Sequence, residues 1–456
     1  MTIEVIILAA GKGTRMRSSK PKVLHPLAGK PLLEHVLDTA GALGPARTHI
    51  VYGYGGDAVP NAINKSSINW VFQEQQNGTG HAVGLAIDDV RDDAIVLVMY
   101  GDIPLIRNVT MADLITKATR NQTLAVLTMT VADAGSYGRI ERNEEGSVTG
   151  IVEAKDATPE QLEIGEFNTG FMAAPKLKIQ KWLSELNSNN AQGEYYLTDI
   201  VAAAVADGLT VETCSAEYGW EVEGVNSKQE LSKLERVHQL NQAHHLMDQG
   251  ICIADPNRID IRGNLTAGED CYFDINLVLE GDNTFGKGVT VGPNCVIKNT
   301  RIADNVEILA NSVIDDADIE SNCHVGPFAR IRPGTLLQKG ARIGNFVETK
   351  KSRIGPGSKA NHLAYIGDTD VGSNTNIGAG VITCNYDGAN KHQTIIGNDV
   401  FVGSDCQLIA PVTIEDGATI GAGTTLTIRA PAKQLTFGRA KARTLPSWER
   451  PKKKVD

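Results

Sequence analysis

The sequence predicts an α/β chain built from two domains of different architecture, and three observations support this. In residues 3–226, short apolar segments alternate with segments in which apolar residues recur at spacings of three and four. From residue 251 onward, apolar residues recur every six positions. Glycine is abundant, at 46 of 456 residues, whereas aromatic residues make up only 5%. Such a composition indicates many tight turns and thin cores.

Residues 1–226 form the first predicted domain, a Rossmann-like fold with a mostly parallel sheet. Continuous apolar strands separated by helical segments are typical of a parallel sheet covered on both faces. The predicted strands are Ile3–Leu8, His49–Tyr52, Trp70–Gln73, Ala94–Tyr100 and Leu124–Val131. Ligands of such sheets bind at the carboxyl ends of the strands. The segments after Leu8 and Tyr100 are therefore expected to form a site.

Residues 227–250 are predicted to be a single amphipathic helix that links the two domains. Leu231, Leu234, Val237 and Leu240 follow helical spacing, and Gly250 is a stop signal.

Residues 251–456 are predicted to form a parallel β-helix of hexapeptide repeats. Neither the strand period of two nor the helix period of 3.6 produces a strict spacing of six, whereas one short face per six residues does. The expected inward residues are Leu279, Phe285, Val291, Ile297, Val313, Ile319, Val325, Ile331, Leu337, Ile343, Ile396, Val402, Leu408, Ile414, Ile420 and Leu426. The ladder is expected to be interrupted between Gly344 and Ile395, and functional residues are expected in that interruption.

Charge and composition exclude several classes of protein. The net charge of −10 argues against a general nucleic-acid binder. Apolar runs are too short for a signal peptide or a membrane span. The seven cysteines are scattered and form no CxxC pair, which favours reduced thiols over a disulfide framework. We therefore expect a cytoplasmic protein without nucleic-acid or membrane partners.

The segment Leu8–Met16 has the residue types of a phosphate-binding loop. Gly11 and Gly13 allow backbone N–H groups to approach an anion, and Lys12, Arg15 and Lys22 add positive charge. The segment is not a dinucleotide fingerprint, because a methionine stands at the third glycine position, and it is not a Walker A loop. The alternative is a glycine-rich turn with solvated basic residues.

Asp102 follows the predicted strand Ala94–Tyr100. A carboxylate at a strand end is well placed to hold Mg²⁺ on a triphosphate, because this ion takes one or two protein ligands plus phosphate oxygens. The alternative is an aspartate that merely ends a strand in a turn.

His362 is the candidate catalytic residue of the second domain. It lies within the predicted interruption, among polar and cationic residues that include Arg332, Lys350, Asn376 and Asn385. An imidazole can act as a base near neutral pH. The alternative is a solvated loop histidine.

These segments resemble the sugar-nucleotidyltransferase family, whose pattern is LAAGxGTRM…PKxL with a later GD. Further segments narrow the resemblance to the bacterial bifunctional enzymes that join an N-acetylglucosamine-1-phosphate uridylyltransferase to a glucosamine-1-phosphate acetyltransferase with a left-handed β-helix. These segments are Gln73 with Gly78–Ala82, Tyr137–Ile140, Ile151–Glu153, Asn168–Gly170, Gly193–Tyr196, Val222–Asn226 and Asn385–Gly388. Two positions depart from the family pattern, which usually has glycine at Ser136 and threonine at Ala364.

The resemblance implies roles in the first domain. Leu8, Ala9, Ala10, Gly11 and Lys22 would contact the nucleotide and its phosphates. Gln73, Gly78 and Thr79 would read the uracil. The sugar pocket would be lined by Tyr100, Gly101, Gly138, Glu153 and Asn168. Asp102 and Asn226 would hold Mg²⁺, and Arg15 would stabilise the pyrophosphate leaving group of UTP. The attacking phosphate is already an anion at pH 7, so this half needs no general base.

The resemblance also implies roles in the second domain. His362 would remove the proton of the amino sugar. The sugar phosphate and sugar would be bound by Arg332, Lys350, Tyr365, Asn376 and Lys391. Acetyl-CoA would contact Ala379, Asn385, Tyr386, Ser404, Ala422 and Arg439. The tail Pro451–Lys454 is predicted either to approach the phosphates of CoA or to be a solvated basic end.

The main hypothesis is therefore a homotrimeric two-step enzyme that makes UDP-N-acetylglucosamine, a cell-wall and outer-envelope precursor. One alternative is a single-activity nucleotidyltransferase whose β-helix serves only assembly. Another is a regulatory binding protein without turnover. The presence of all the expected ligand residues disfavours the regulatory protein, and the grouping of His362 with Arg332 and Lys350 disfavours the pure scaffold.

Overall fold

The computed structural model describes residues 2–451 and residue 453. It divides into two compact units, one up to His238 and the other from Gln239 onward. This division falls within the helix predicted for residues 227–250.

The first unit is an α/β structure whose elements are numbered here in chain order. Its strands are β1 (Thr2–Ala9), β2 (Pro26–Leu27), β3 (Lys30–Pro31), β4 (Arg47–Tyr52), β5 (Ile68–Phe72), β6 (Ala94–Tyr100), β7 (Ala125–Thr130), β8 (Arg139–Arg142), β9 (Val148–Val152), β10 (Glu166–Pro175) and β11 (Glu212–Ser215). Its helices are α1 (Leu32–Ala42), α2 (Ala58–Ile63), α3 (Thr79–Ile87), α4 (Asn108–Asn121), α5 (Pro159–Leu162), α6 (Lys176–Ser184) and α7 (Asp199–Ala206). Short 3₁₀ turns occupy Thr14–Met16, Lys22–Leu24 and Gly219–Val222.

The main sheet has the strand order β11-β7-β10-β6-β1-β4-β5. Strands β1, β4, β5 and β6 are mutually parallel, and β11 runs parallel to β7. Strand β10 is antiparallel to both β6 and β7. The same sheet also includes β8 and β9, with β8 antiparallel to β10 and β9 antiparallel to β8. The predicted, mostly parallel sheet is thus confirmed, with antiparallel pairings around β10 that the apolar pattern did not reveal.

Strand β1 shows why the sheet must be covered on both faces. Val5 and Ile7 are buried in the core beside α1 and α4, whereas Ile6 and Leu8 are buried in the core beside α3 and α6. Every side chain of a strand buried on both faces needs an apolar neighbour, which explains the continuous apolar run. The carboxyl ends of β1 and β6 lie side by side, with Leu8 paired to Tyr100.

Helix α8 (Lys228–Asp248) corresponds to the predicted connecting helix. In the first unit, Leu234 is buried against Met16, Leu27 and Val225. Gly250 has a φ of +91°, and the N–H of Ile251 returns to the carbonyl of Leu246 at 3.2 Å. Glycine is favoured in this left-handed conformation at a helix end, so the predicted stop signal is confirmed.

The second unit is a parallel β-helix. One face consists of the strands Cys252–Ile253, Tyr272–Phe273, Thr290–Val291, Glu307–Ile308, His324–Val325, Arg342–Asn345, Lys359–His362, Asn376–Ile377, Phe401–Val402, Thr419–Ile420 and Leu435–Thr436. The remaining faces consist of Ile259–Ala267, Leu277–Phe285, Val296–Lys298, Arg301–Ile302, Val313–Asp315, Ala317–Ile319, Arg330–Ile331, Thr335–Leu337, Glu348–Lys350, Arg353–Ile354, Tyr365–Gly367, Thr369–Val371, Ile382–Cys384, Thr394–Ile396, Gln407–Ile409, Val412–Ile414 and Thr425–Leu426. A 3₁₀ turn, Pro256–Arg258, lies in the first coil.

Inward side chains of successive coils form a single continuous core, and fifteen of the predicted inward residues belong to it. The prediction for Val313 is wrong, because this side chain is 42% exposed and Ile314 points inward instead. Ile314 and Ile319 are only five positions apart, and both are buried. A six-residue step back from Ile319 therefore falls one residue short of the inward position, so Val313 points outward.

The expected interruption between Gly344 and Ile395 is largely absent. Thr349, Ile354, Ala360, Ile366, Val371, Ile377 and Thr383 continue the inward column through that stretch, each at most 5% exposed. The sequence pattern was hidden because two of these residues are threonines and one is alanine. Residues 385–393, between the strands Ile382–Cys384 and Thr394–Ile396, form the longest segment of this stretch that lies outside the strands.

The amide of Gln239 covers the edge of the first coil. Its Oε1 accepts the N–H of Ile261 at 2.7 Å, and its Nε2 donates to the carbonyl of the same residue at 2.9 Å. Among the described residues, no strand of this sheet precedes Ile259–Ala267, and the Gln239 side chain takes the place of that missing neighbour. Within the described residues, no helix has the length and apolarity to cross a membrane.

Candidate active sites

The first unit contains a cavity of about 430 Å³ at the carboxyl ends of β1 and β6. Ten of the predicted site residues line it. They are Leu8, Ala9, Ala10, Gly11, Lys22, Gln73, Gly78, Thr79, Tyr100 and Asp102. The sequence expectation that the segments after Leu8 and Tyr100 form one site therefore agrees with the geometry.

The loop after β1 turns back on itself at Gly13. Its φ is +57°, and a Cβ at this position would lie 2.8 Å from the Cβ of Lys22. Both the conformation and the close approach require glycine. Val23 and Leu24 are buried beside Lys22. The loop therefore holds the Lys22 ammonium at the cavity, where positive charge suits a phosphate.

Asp102, Asn226 and Lys22 meet at one point. The Lys22 ammonium forms an ion pair with the Asp102 carboxylate, and it also donates to Oδ1 of Asn226 at 3.1 Å. A carboxylate and an amide oxygen thus converge on a single positive charge. Mg²⁺ prefers such oxygen ligands and completes its shell with water and phosphate oxygens. The Asp102 carboxylate and the Asn226 amide oxygen therefore fit the ligand preferences of a magnesium ion.

Gln73 is buried at the inner wall of the cavity. Its Nε2 lies 3.3 Å from the carbonyl of Gly78 and 3.0 Å from Nδ1 of His81. Gly78 has a φ of +107°, and a Cβ there would lie 2.5 Å from the carbonyl of Tyr195. These contacts fix an amide and a segment of backbone side by side. Such groups can read the edge of a planar base by hydrogen bonding.

Gly138, Glu153 and Asn168 form a second group of predicted residues. The N–H of Asn168 donates to the carbonyl of Gly138 at 2.8 Å, and a Cβ on Gly138 would lie 3.3 Å from the Glu153 carboxylate. Burial raises the pKa of Glu153, whereas the Thr198 hydroxyl, which donates to it at 3.0 Å, opposes that rise. Glu153 is thus a desolvated carboxylate able to accept hydrogen bonds from a polar ligand.

The two remaining predicted residues of this unit, Gly101 and Arg15, lie in different surroundings. Gly101 is buried, and a Cβ there would contact Leu33, Ala9 and Val23 at 3.2–3.3 Å, so its requirement is packing. Arg15 is exposed on the turn Thr14–Met16 and does not line the cavity. Its placement on the glycine-rich loop agrees with a role toward a ligand that extends out of the cavity.

Sequence reasoning assigned no role to Val23, Gln76, Ala82 and Glu194, which also line the cavity. Glu194 lies in the segment Gly193–Tyr196, which contributed to the family resemblance, so a signal for it was present.

The serine at position 136, where the family usually has glycine, is accommodated because the preceding residue is a glycine. The left-handed residue of that turn is Gly135, with a φ of +50°, and its N–H donates to Asp133 at 2.8 Å.

In the second unit, His362 lies at a corner of the β-helix. It pairs with Asn345 of the preceding coil, and its Nδ1 lies 2.9 Å from Oδ1 of that residue. An amide oxygen only accepts hydrogen bonds, so Nδ1 carries the proton and Nε2 is left as the basic nitrogen. The side chain is exposed. His362 therefore presents a proton acceptor to a ligand.

A cluster of cations lies at the ends of the strands Arg330–Ile331 and Glu348–Lys350, on a different face of the β-helix from His362. The ammonium of Lys391, the largest cause, lowers the pKa of Lys350, with further contributions from desolvation and Arg332 and an opposing contribution from Asp368. The guanidinium of Arg332 is paired with Glu348 at 2.6 Å. Ammonium groups held this close disfavour each other's charge unless an anion lies between them. The cluster is suited to a phosphate.

Asn385 lies between this cluster and Tyr365, one of the residues that the resemblance assigns to the sugar. Its Nδ2 lies 2.5 Å from Oδ2 of Asp368 and 3.5 Å from the hydroxyl of Tyr365. Asn376 lies on the first face of the β-helix, paired in register with Lys359 and Phe401. Tyr386 is exposed and faces Lys391 in an antiparallel bridge.

The remaining predicted residues follow one corner of the β-helix upward from His362. The N–H of Gly380 donates to the carbonyl of Leu363, that of Asp405 to Ala379, and that of Gly423 to Ser404. Ala422 and Arg439 continue this column, with the Arg439 guanidinium 5.7 Å from the ring centroid of Phe437. The column suits an extended ligand. Lys452 and Lys454 of the predicted basic tail lie outside the described residues.

The two sites differ in the chemistry they can perform. The first gathers cations with a carboxylate and an amide oxygen, which suits reactions of phosphates that need charge neutralisation. The second presents a basic nitrogen on His362 and, on another face of the β-helix, a group of cations suited to a phosphate; the two together suit proton removal from a phosphorylated ligand.

Comparison with known families agrees with this division. Residues 5–139 match the MobA-like NTP transferase domain, and residues 393–427 match the bacterial transferase hexapeptide family of six repeats. A solved structure of UDP-glucose pyrophosphorylase complexed with UDP-glucose covers 52% of this chain and 98% of its own, with a TM-score of 0.44 and 20% sequence identity. That overlap is too slight to support an argument.

Curated relatives match along the whole chain. The bifunctional protein GlmU of Nitrosospira multiformis is 54% identical over 453 residues, covering 99% of this chain and 98% of the relative. The GlmU proteins of Marinobacter nauticus and a Janthinobacterium species are each 52% identical over 451 residues, covering 99% of this chain. At this identity and coverage, the chain belongs to the GlmU family of bifunctional proteins.

Proposed function

We propose that this chain makes UDP-N-acetylglucosamine in two steps. The second unit transfers an acetyl group from acetyl-CoA to glucosamine 1-phosphate. The first unit then transfers a uridylyl group from UTP to N-acetylglucosamine 1-phosphate and releases pyrophosphate. The observation that supports this most strongly is the presence of two sites of different chemistry in two separate units of a chain that belongs to a bifunctional family.

In the first step, the structure supports His362 as the general base. Its Nε2 takes a proton from the amino group as the nitrogen attacks the thioester carbonyl, and Asn345 keeps Nδ1 protonated at 2.9 Å. The C–S bond breaks, and the CoA sulfur leaves and gains a proton. Arg332, Lys350 and Lys391 would bind the sugar phosphate, with Tyr365 and Asn376 on the sugar.

The acetyl-CoA ligands are assigned to the corner column. Ala379, Ser404, Ala422 and Arg439 follow one another along the β-helix, and Asn385 and Tyr386 lie where the chain leaves it. The N–H of Ala379 is the candidate donor to the oxyanion that forms on the carbonyl. Each of these roles is part of the proposal.

In the second step, the phosphate of the sugar attacks the α-phosphorus of UTP, and pyrophosphate leaves. Gln73, Gly78 and Thr79 would bind the uracil, and Gly138, Glu153 and Asn168 the sugar. When bound by Asp102 and Asn226, Mg²⁺ would neutralise charge on the triphosphate. The loop Leu8–Gly11, with Lys22 and Arg15, would hold the phosphates in line and stabilise the departing charge.

We further propose that the chain works as a homotrimer in the cytoplasm, where UTP and acetyl-CoA are supplied. His362, Ser404, Ala422 and Arg439 lie along one open corner of the β-helix, and all four are exposed, as is Tyr386. An open row of side chains cannot enclose a ligand or exclude water by itself. A neighbouring copy of the chain packed along this corner would complete the site.

The test uses the full chain with both substrate pairs. Glucosamine 1-phosphate with acetyl-CoA should release free CoA thiol, and N-acetylglucosamine 1-phosphate with UTP and Mg²⁺ should release pyrophosphate. Release of pyrophosphate without CoA thiol would leave a single-activity nucleotidyltransferase with an assembly β-helix. Absence of both products would contradict the proposed function.

A further inference from the structure

The chain leaves the β-helix at a small hairpin formed by residues 385–392. The N–H of His392 donates to the carbonyl of Asn385 at 2.8 Å and closes the base, and Tyr386 bridges Lys391 above it. Gly388, with a φ of +101°, lies at the tip. An isolated two-stranded hairpin is marginally stable in water. This one therefore needs additional contacts to keep one conformation.

Asp387 supplies those contacts through both of its carboxylate oxygens. Oδ1 accepts the N–H groups of Ala389 at 2.8 Å and Asn390 at 2.7 Å, which folds the tip. Oδ2 lies 2.7 Å from Nε2 of His392, on the opposite side of the hairpin. The backbone N–H of Asn390, the His392 ring and the N–H of Ala389 hold the pKa of Asp387 far below its ordinary range. Asp387 is therefore an ionised brace between the two strands.

Asp387 and His392 are each next in the chain to a residue that is proposed to bind a ligand of acetyl transfer. Lys391 precedes His392 in the chain and presents its ammonium to Lys350, while Tyr386 precedes Asp387. Two ammonium groups repel each other, and this repulsion favours movement of Lys391 away from Lys350. A contact that fixes the hairpin opposes this movement.

We propose that the Asp387–His392 pair positions Lys391 for the sugar phosphate and Tyr386 for acetyl-CoA, which makes His392 a positioning residue for acetyl transfer. The inference rests on the proposed function of this site. His392 takes no part in proton transfer, which is assigned to His362. Its effect is to keep the binding groups in place before the ligands arrive, so its loss raises KM more than it lowers kcat.

The experiment compares H392F with H392Q in the full-length protein. Phenylalanine keeps a flat ring but cannot bond to Asp387, whereas the glutamine amide can still donate to it. We expect H392F to raise KM for glucosamine 1-phosphate and for acetyl-CoA about three- to ten-fold, the loss typical of one hydrogen bond. We expect kcat to stay within about two-fold, H392Q to resemble the unaltered protein, and uridylyl transfer to be unchanged.

His324 supplies a matched control. Its Nδ1 lies 2.8 Å from Oε2 of Glu307, also in a half-exposed pair on the β-helix, away from the hairpin. H324F should therefore leave both KM values unchanged. If H392F melts early, D387N provides the same comparison, because an amide keeps an acceptor for the tip but loses the charge.

Unchanged KM values in H392F, or an equal loss in H392Q, would overturn the positioning role. A fall in kcat alone would do so as well. Absence of acetyl transfer by the unaltered protein would instead overturn the proposed function, and the inference with it.

Discussion

The two candidate sites differ in how the fold assembles them. The first draws side chains from distant segments of the chain to one edge of a sheet, where they enclose a cavity of about 430 Å³. The second takes its residues from successive coils of the β-helix, and half of its twelve predicted residues are exposed. A sheet can therefore build an enclosed site within one chain, whereas a solenoid presents a row that needs a partner to cover it.

The sites also differ in how their charges are compensated. In the first, Lys22 already pairs with Asp102. In the second, Lys350 and Lys391 face each other, and the pKa of Lys350 is lowered. Ligand binding must therefore rearrange an existing ion pair in the first site, but it relieves a repulsion in the second. This difference is consistent with a metal-dependent reaction in one unit and direct phosphate binding in the other.

Replacement of Asp102 by alanine should separate the two activities most strongly. The substitution removes a carboxylate ligand and several kcal/mol of charge stabilisation, so uridylyl transfer should fall by about 10³-fold or more. Acetyl transfer should persist, because its residues belong to the other unit. Release of pyrophosphate and of CoA thiol, measured on the same preparation, gives the comparison. Loss of both activities in a folded variant would contradict independent sites.

Replacement of His362 by alanine should have the opposite selectivity. General-base catalysis typically contributes about 10²–10⁴-fold, and acetyl transfer should fall within that range. Activity should recover partly between pH 6.5 and 9, because more of the substrate amine is then unprotonated. The measurement is kcat/KM across this pH range alongside a melting curve. A pH-independent loss with earlier melting would indicate a structural role instead.

Dilution of the protein should affect the two activities differently, because only the acetyl-transfer site is expected to need a second copy of the chain. If a second copy covers the corner of the β-helix, specific acetyl-transfer activity should fall once the protein is diluted below the dissociation range of the trimer. Specific uridylyl-transfer activity should stay constant, because that cavity is built within one chain. Sedimentation at matched concentrations gives the mass. A monomer at micromolar concentration that retains acetyl transfer would contradict the shared site.

Replacement of Gln239 by leucine should produce the smallest effect, on stability alone. It leaves the buried N–H and carbonyl of Ile261 without the Gln239 amide, at a cost of about 1–3 kcal/mol. The β-helix should unfold earlier, while the uridylyl-transfer unit keeps its transition. Gln242→Leu is the control, because its amide lies farther away, at 3.3 Å from the Ile261 carbonyl and 3.4 Å from Oε1 of Gln239. Equal effects of the two variants would argue against the capping role.

The sequence predicted the strands and helices best where the local spacing of apolar residues determines which side chains are buried. The apolar runs of β1 and β6 and the spacing of Leu231 and Leu234 reflect burial in sheets and helices that the structure confirms. The prediction for Val313 was wrong because one five-residue repeat shifts the register. The expected interruption was wrong because Thr349 and Thr383 fill inward positions that an apolar pattern overlooks.

Long-range contacts explain what remained hidden in the site. Gln76 and Glu194 line the cavity, but they come from segments more than one hundred positions apart. The Gln239 amide forms the hydrogen bonds with Ile261 that a neighbouring strand would otherwise form. No spacing in the sequence indicates this role. Such roles follow from tertiary geometry, and one sequence without that geometry cannot specify them.

The hairpin at residues 385–392 shows how a repeating scaffold can acquire new specificity. Ile354 pairs with Val371, 17 positions later, whereas Val371 pairs with Ile396, 25 positions later, and both pairs remain in register. Extra residues are thus accommodated outside the coil without disturbing the inward column. Loop length and core packing can therefore vary independently. Redesign of the acceptor sugar could begin with substitutions and insertions in this hairpin, at little risk to the stability of the scaffold.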